Sequence, residues 1–219
     1  MQVNIVIIGA GGHGKVTLDI LQYDTSVEVI GFIDDDENSH DKIISGVPVL
    51  GNMAALPRLI QEKRIEGGII ALGNRKVRAA LFEHLKEMGL KPVNAVHPRA
   101  VIAKNVRMGD GVMIAAGAII NTDSIIGDDV IINTGATIDH DNMIGDHVNI
   151  QPGGNLGGAV TVKAYTEVGI GATVIQNISI GEGSTIAAGA AIISDVPDNV
   201  TVVGVPGRIF RADKREKGT

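Results

Sequence analysis

The sequence contains no cysteine and no tryptophan, and only 2% of its residues are aromatic. Without cysteine the chain has neither a disulfide framework nor a thiol nucleophile. So few aromatic rings argue against the base stacking by which single-stranded nucleic acids are bound. A formal net charge of −6 also argues against a surface that binds polyanions. We therefore expect no nucleic-acid partner.

Long hydrophobic runs are also lacking. No apolar run is long enough to span a bilayer, and the amino terminus shows neither a basic segment nor a cleavage site typical of a signal peptide. These features predict a protein that does not insert into membranes and that works in the cytoplasm. A length of 219 residues predicts one or two domains.

A six-residue repeat occupies the second half of the chain. Every sixth residue from Ile102 to Ile192 is aliphatic or methionine, without a slip in register, and a small or β-branched residue usually follows four positions later. Turn formers such as Gly, Asn and Asp lie between these positions. The period is typical of a parallel β-helix. Three hexads close one triangular coil, so residues three hexads apart stack in one column.

Residues 1–95 have the strand and helix alternation of a Rossmann-like half-domain. A buried strand over residues 3–8 leads into the glycine-rich stretch 9–14, and a second strand ends before Asp34 and Asp35. This order matches the G-x-G-x-x-G fingerprint. Three interpretations remain open: a dinucleotide site, a tight turn without a ligand, and a nucleotide or nucleotide-sugar site at the helix N-terminus. We favour the third, because only one mononucleotide-binding half precedes the repeat.

Gly73 and Asn74 follow another strand of this domain and are expected at the same edge of the sheet. Asn74 equally suits an ordinary helix N-cap. The second domain, an all-β parallel β-helix with a short charged C-terminal tail, is predicted for residues 96–219.

One hexad differs from its neighbours, because His140 and Asp141 occupy its two bend positions. A bend projects its side chains outward, which excludes an interior histidine. The alternatives are an ordinary surface histidine and a general base near pH 7, with Asp141 raising its basicity or fixing its tautomer. His147, at the following bend, is interpreted as a surface residue.

Ile170 and Ala188 form a different corner column from that of His140. One prism cannot bring two corner columns together on one side, but a neighbouring subunit can. The spacing therefore predicts a symmetric oligomer with sites between subunits.

The segments GAGGHGK, FIDDD, ALGN, INTGATIDHDNMIGDHVNI and VGVPGR, in this order, resemble the bacterial NeuD/PglD-like acyltransferases. This family includes sialic acid O-acetyltransferases and N-acetyltransferases of UDP-4-amino-sugars. The resemblance implies a left-handed β-helix, a homotrimer, acetyl-CoA as donor and a nucleotide-sugar site in the amino-terminal domain.

The resemblance also implies roles for particular residues. His140 matches the catalytic base and Asp141 the carboxylate beside it. The positions that match nucleotide-sugar contacts are Gly11, Gly12, His13, Asp34, Asp35 and Gly73. The positions that match coenzyme A contacts are Asn149, Ile170 and Ala188, although Asn149 replaces a histidine of the family and Ala188 a glycine.

We therefore expect an acetyl-CoA-dependent enzyme that N-acetylates a UDP-linked amino sugar by direct transfer. O-acetylation of a sugar or sialic acid hydroxyl, and a non-catalytic solenoid that binds a nucleotide sugar, are the alternatives. A zinc enzyme on the same solenoid needs three histidine ligands. Only His140 and His147 lie at bends of the repeat, so no metal site is expected.

Overall fold

The computed structural model describes residues 2–62 and 64–212. Of the charged tail, which is predicted to begin at Arg211, residues 213–219 lie outside the described residues. Contacts divide the chain into two units, Met1–Pro98 and Arg99–Thr219. In the part of the chain that is described, no helix has both the length and the apolar character needed to cross a membrane.

The first unit is a parallel sheet with helices packed against it. Its strands are β1 (Val3–Ile8), β2 (Val27–Ile33), β3 (Ile43–Ile44), β4 (Val47–Pro48), β5 (Gly67–Ile70) and β6 (Lys91–Pro92), and a short strand, Ala95–Val96, follows. Its helices are α1 (Gly12–Leu21), α2 (Leu56–Gln61) and α3 (Arg75–Glu87), with 3-10 turns at Glu37–Ser39 and Met53–Ala55. The sheet order is β2-β1-β5-β6, and β3 pairs with β4 as a separate hairpin.

The strand β1 lies inside this sheet, which explains why its sequence is continuously apolar. Ile5 to Ile7 are 0% exposed. Gly14 allows α1 to pack closely, because a Cβ at this position would meet the carbonyl group of Gly9 and the ring of Phe32. The glycine-rich stretch is therefore a tight strand-to-helix turn, as the fingerprint predicts.

The second unit is a parallel β-helix of two-residue strands on three faces. One face contains Val101–Ile102, Ile119–Ile120, Thr137–Ile138, Asn155–Leu156, Thr173–Val174 and Ala191–Ile192. The second contains Arg107–Met108, Ile125–Ile126, Met143–Ile144, Thr161–Val162 and Ser179–Ile180. The third contains Met113–Ile114, Ile131–Ile132, Asn149–Ile150, Glu167–Val168, Thr185–Ile186 and Val200–Val203, and the antiparallel strand Arg208–Ala212 closes it.

The register follows the period predicted from the sequence. Ile120 pairs with Ile138 and Ile138 with Leu156, so each coil places its aliphatic residue directly above the last. These inward side chains are at most 3% exposed. The predicted architecture, an α/β amino-terminal region followed by a parallel β-helix, is confirmed.

The three corners of the β-helix differ in their left-handed residues, which have positive φ. One corner has only glycine there: Gly117, Gly135, Gly153, Gly171 and Gly189. The second has Asp123, Asp141, Ala159 and Asn177, and the third has Gly111, Asp129, His147, Tyr165, Gly183 and Asn199. Asp and Asn tolerate this conformation better than most residues. The second corner contains the His140–Asp141 pair, and the glycine corner contains Ile170 and Ala188.

Candidate active site

His140 lies at an exposed bend between the strands Thr137–Ile138 and Met143–Ile144. Its side chain is 55% exposed, and its Nδ1 lies 2.7 Å from Oδ2 of Asp141. An ionised carboxylate only accepts hydrogen bonds, so this contact places the proton of the neutral imidazole on Nδ1. Nε2 then keeps its lone pair and is the atom able to accept a proton.

Two carboxylates set the basicity of this imidazole. The hydrogen bond that His140 donates to Asp141 is the main cause that raises the pKa of His140, and the nearby charge of Asp139 adds to it. The side chain of Asn121 donates to Asp139, which in turn accepts from the backbone N–H of His140. These bonds lower the pKa of Asp139, so it stays ionised beside the imidazole.

The imidazole of His140 lies against Gly158, one coil further along the same corner. A Cβ at position 158 would lie 2.5 Å from Cε1 and 2.6 Å from Nε2 of His140. The backbone of Gly158 is not left-handed, so its own conformation does not require glycine. The glycine leaves space for the ring, a role that sequence reasoning missed.

The glycine-rich turn of the first unit leaves open space at the N-terminus of α1. A Cβ added to Gly11 or Gly12 would meet no atom within 4 Å, and the same is true of Gly73. Gly11 is the N-cap of α1, where unpaired backbone N–H groups favour an anion such as a phosphate. The loop therefore has room for a ligand close to its backbone.

The two aspartates after β2 have different roles. Both carboxylate oxygens of Asp34 accept backbone hydrogen bonds, from Ala10 N–H at 2.6 Å and from Asp36 N–H at 2.8 Å. Asp34 thus organises the glycine-rich loop. Asp35 accepts one bond, from Met53 N–H at 3.1 Å, and both aspartates line a cavity of about 150 Å³ at this edge of the sheet.

His13 is held neutral next to this loop. Burial, followed by the charge of Arg78, lowers the pKa of His13 to about 4. Its buried Nε2 has no hydrogen-bond partner among the described residues. Arg78, whose side chain is fully buried and donates to the carbonyl oxygen of Leu72, was not found from the sequence, because α3 gave no sign that one of its arginines points inward.

Asn74 caps α3. Its side chain accepts hydrogen bonds from the N–H groups of Lys76 and Val77, which is the N-cap geometry that the sequence left open. Asn74 therefore has a structural role at this edge of the sheet.

The residues expected to contact coenzyme A lie apart from His140 within one chain. Ile170 is 60% exposed at the glycine corner, and Ala188 stacks on it, since Gly189 N–H donates to the Ile170 carbonyl oxygen at 2.8 Å. Asn149 lies in a strand of the third face and is 1% exposed. The chain thus brings His140 and Asp141 together, and Ile170 and Ala188 together, at two different corners.

The surface position expected for His147 is wrong. Its ring is buried, bonded through Nδ1 to Oδ2 of Asp129 at 2.9 Å and stacked on Tyr165 with ring centroids 4.9 Å apart. These three residues stand one coil apart in the same corner column. Within residues 2–62 and 64–212, no group of three or more His, Asp or Glu side chains is arranged to bind a metal.

An α/β unit followed by a parallel β-helix is also the architecture of solved acetyltransferases, so the class of this protein is that of the hexapeptide-repeat acyltransferases. The family model described as the PglD N-terminal domain matches residues 4–85. The chain is 30% identical over 212 residues to GDP-perosamine N-acetyltransferase of Escherichia coli O157:H7, covering 92% of this chain and 94% of the relative. The chain therefore belongs to the PglD-like family of acyltransferases.

Solved structures agree with this assignment. A histidine-to-alanine variant of GDP-perosamine N-acetyltransferase from Caulobacter crescentus, in complex with CoA and GDP-perosamine, is 37% identical with a TM-score of 0.87, covering 95% of this chain and 97% of that one. The acetyltransferase domain of PglB from Neisseria gonorrhoeae, in complex with acetyl coenzyme A, is 31% identical with a TM-score of 0.87, covering 96% and 100%. By contrast, the match to serine acetyltransferase of Bacillus subtilis spans 22% of this chain and only 23% of that enzyme's length.

Proposed function

We propose that this protein transfers the acetyl group of acetyl-CoA to the amine of a nucleotide-linked amino sugar, with His140 as the general base. The observation that carries the proposal is the exposed imidazole of His140, whose Nδ1 is held by Asp141 so that Nε2 can accept a proton. Relatives that cover nearly the whole chain support the choice of substrates, since one binds CoA with GDP-perosamine and another acetyl coenzyme A.

In the proposed reaction, the sugar amine attacks the carbonyl carbon of the thioester. Nε2 of His140 takes one proton from the amine as the C–N bond forms. The C–S bond then breaks, and the CoA thiolate receives that proton, so the products are the N-acetylated sugar and CoA. No acyl-enzyme on a thiol is possible, because the chain has no cysteine.

The nucleotide half of the acceptor belongs, in this proposal, to the first unit. The diphosphate approaches the open backbone at Gly11, Gly12 and Gly73, where nothing lies within 4 Å of a Cβ. Asp35, which keeps one carboxylate oxygen available, suits a hydroxyl or N–H donor of the nucleoside, whereas Asp34 holds the loop in place. His13 is neutral and partly exposed next to this loop, and it is a further contact in this proposal.

The binding site for acetyl-CoA, the acetyl donor, requires a second subunit in the proposed assembly. Ile170 and Ala188 lie at a different corner from His140, so one chain does not bring the thioester to its own base. In a symmetric trimer, the glycine corner of one subunit faces the His140 corner of the next, and Ile170 and Ala188 contact CoA there, whereas Asn149 is buried within its own chain. Acetyl-CoA and nucleotide sugars are cytoplasmic metabolites, and we place the reaction in the cytoplasm.

A thiol assay tests this function directly. Acetyl-CoA is mixed with a panel of UDP- and GDP-linked 4-amino-sugars and with sugars that offer only hydroxyl groups, and released CoA is measured with a thiol-reactive dye. The protein adds no background, because it has no cysteine. We expect turnover with an amino sugar and a mass gain of one acetyl group on its product.

The outcome of the panel also separates the alternatives. Turnover only with hydroxyl acceptors would replace N-acetylation by O-acetylation. Binding of a nucleotide sugar without turnover of any acceptor would overturn the enzymatic proposal in favour of a binding protein.

A further inference from the structure

A fully buried amide, Asn142, lies inside the coil directly beneath the His140 bend. Its Nδ2 lies 2.7 Å from the carbonyl oxygen of Asp139, 3.0 Å from that of Gly157 and 3.2 Å from that of His140. Carbonyl oxygens only accept hydrogen bonds, so the amide must direct its nitrogen toward them. One side chain therefore binds two peptide groups of the bend and one of the next coil.

This arrangement has a cost for stability. The Oδ1 of Asn142 is buried and has no hydrogen-bond partner in the described part of the chain, and a buried acceptor without a partner is unfavourable. The fold does not require an amide here. In the two following coils the same interior position is occupied by the buried residues Val160 and Ile178.

Another interior polar residue makes contacts of the same kind at a bend that carries no imidazole. Thr166 is also fully buried, and its hydroxyl lies 2.8 Å from the carbonyl oxygen of Gly181 in the next coil and 3.4 Å from that of Ala164 in its own bend. The bond from Asn142 to Gly157 is of this common kind. The two bonds from Asn142 to Asp139 and His140 restrain the bend that carries the imidazole itself.

A second interior side chain supports the same bend. The hydroxyl of Ser124 donates to the carbonyl oxygen of Asp139 at 2.9 Å and accepts from the backbone N–H of Asn142 at 3.3 Å. The Asp139 carbonyl group is thus bound from two sides within the core.

We propose that Asn142 is a positioning residue that fixes the backbone of the bend and so keeps the His140 imidazole against Gly158, with Nδ1 on Asp141. Its bearing on catalysis rests on the proposed function, since His140 is the base only in that reaction. Asn142 itself is fully buried and touches neither substrate.

The test compares Asn142→Val with Thr166→Val. Both variants remove an interior hydrogen-bonding group, and valine already fills the position that follows Asn142 in its column, Val160. We expect Asn142→Val to lower kcat by about tenfold or more with little change in KM, because the base is displaced rather than the substrate sites. Thr166→Val should remain within about twofold of the wild type, since its bend carries no reacting group.

A second measurement does not depend on turnover. The ring of His140 is titrated by NMR on protein with labelled histidine, and one of the 6 histidines is assigned to it by its loss in His140→Ala. In Asn142→Val the pKa of His140 should fall, because a loosened bend weakens the contact with Asp141. Asp139, the other carboxylate that faces the ring, keeps its hydrogen bond from Asn121 in this variant. Thr166→Val should titrate like the wild type.

An unchanged titration of His140 and an unchanged kcat in Asn142→Val would overturn the proposal. If no acceptor supports turnover, the titration still decides the role of Asn142, so failure of the proposed function is distinguished from failure of this inference. If Asn142→Val does not fold, Asn142→Ser takes its place. Serine has one donor for the three carbonyl oxygens, so a wild-type titration in that variant would equally overturn the proposal.

Discussion

Substitution of Gly158 by alanine isolates the placement of the His140 ring from the fold. The added methyl group would lie 2.5 Å from Cε1 and 2.6 Å from Nε2 of His140. Carbon atoms in contact prefer a separation of about 3.5 Å or more, so the ring must retreat by roughly 1 Å. The backbone of Gly158 accepts alanine, because it is not left-handed.

The substitution affects the stability of the fold and the rate of the reaction differently. Replacing glycine by alanine at a compatible position stabilises a fold by about 0.4–1 kcal/mol, so the urea midpoint should be equal to or above that of the wild type. A reacting group displaced by about 1 Å lowers the rate by up to roughly 10²-fold, and we expect kcat to fall by about this factor. A stable but slow enzyme is therefore the expected result.

The assay is CoA release with the acceptor identified from the panel, measured for Gly158→Ala, His140→Ala and the double variant. If the methyl group acts through the ring, it has no further effect once the ring is absent, and the two effects will not add. Full activity of Gly158→Ala would refute the reasoning. Equal losses in the presence and absence of His140 would show that the methyl group acts on something else.

Two further predictions concern protonation. A general base acts unprotonated, so kcat/KM should increase as the pH rises through the pKa of His140, which is raised above its ordinary value chiefly by Asp141. In Asp141→Asn this increase should move to lower pH. An unchanged pH profile would contradict the role of Asp141. His13 has a pKa of about 4 in the folded protein, below its ordinary 6.5. Between these two pH values the unfolded chain binds a proton that the folded protein does not. The free energy of unfolding therefore falls by up to about 3 kcal/mol as the pH is lowered from 6.5 toward 4. Urea unfolding at several pH values should therefore show a weaker acid dependence in His13→Gln, whereas equal acid dependence would refute the assignment.

The period of the repeat made the β-helix predictable, because each hexad obeys the same local rule and the register never slips. The same rule placed His140 and Asp141 together at an exposed bend, and Ile170 with Ala188 at another corner. In the first unit, the glycine-rich turn was predictable since its spacing reflects a tight strand-to-helix connection.

Contacts between coils could not be predicted so directly. The role of Gly158 depends on where the His140 ring rests in the next coil, and the burial of His147 depends on Asp129 and Tyr165 in the two neighbouring coils. For both groups of residues, the sequence predicts only that they stack in one column, and not which side chains touch. Asn142 did leave a signal, since it is a polar residue at an interior position of its hexad.

In the first unit, prediction from the sequence fails for a different reason. Both oxygens of Asp34 are used by the backbone of the loop, so this residue shapes the site where Asp35 keeps an oxygen available. A run of aspartates in the sequence does not distinguish these roles, because the roles depend on which backbone N–H groups lie within reach.

The most direct test of the account is the rate of acetyl transfer in His140→Ala. The variant is compared with the wild type for CoA release and for N-acetylated product, with acetyl-CoA binding measured in parallel. We predict a loss of about 10²–10⁴-fold in kcat, the range for removal of a general base, with acetyl-CoA binding retained. A variant that turns over at close to the wild-type rate would contradict the central claim.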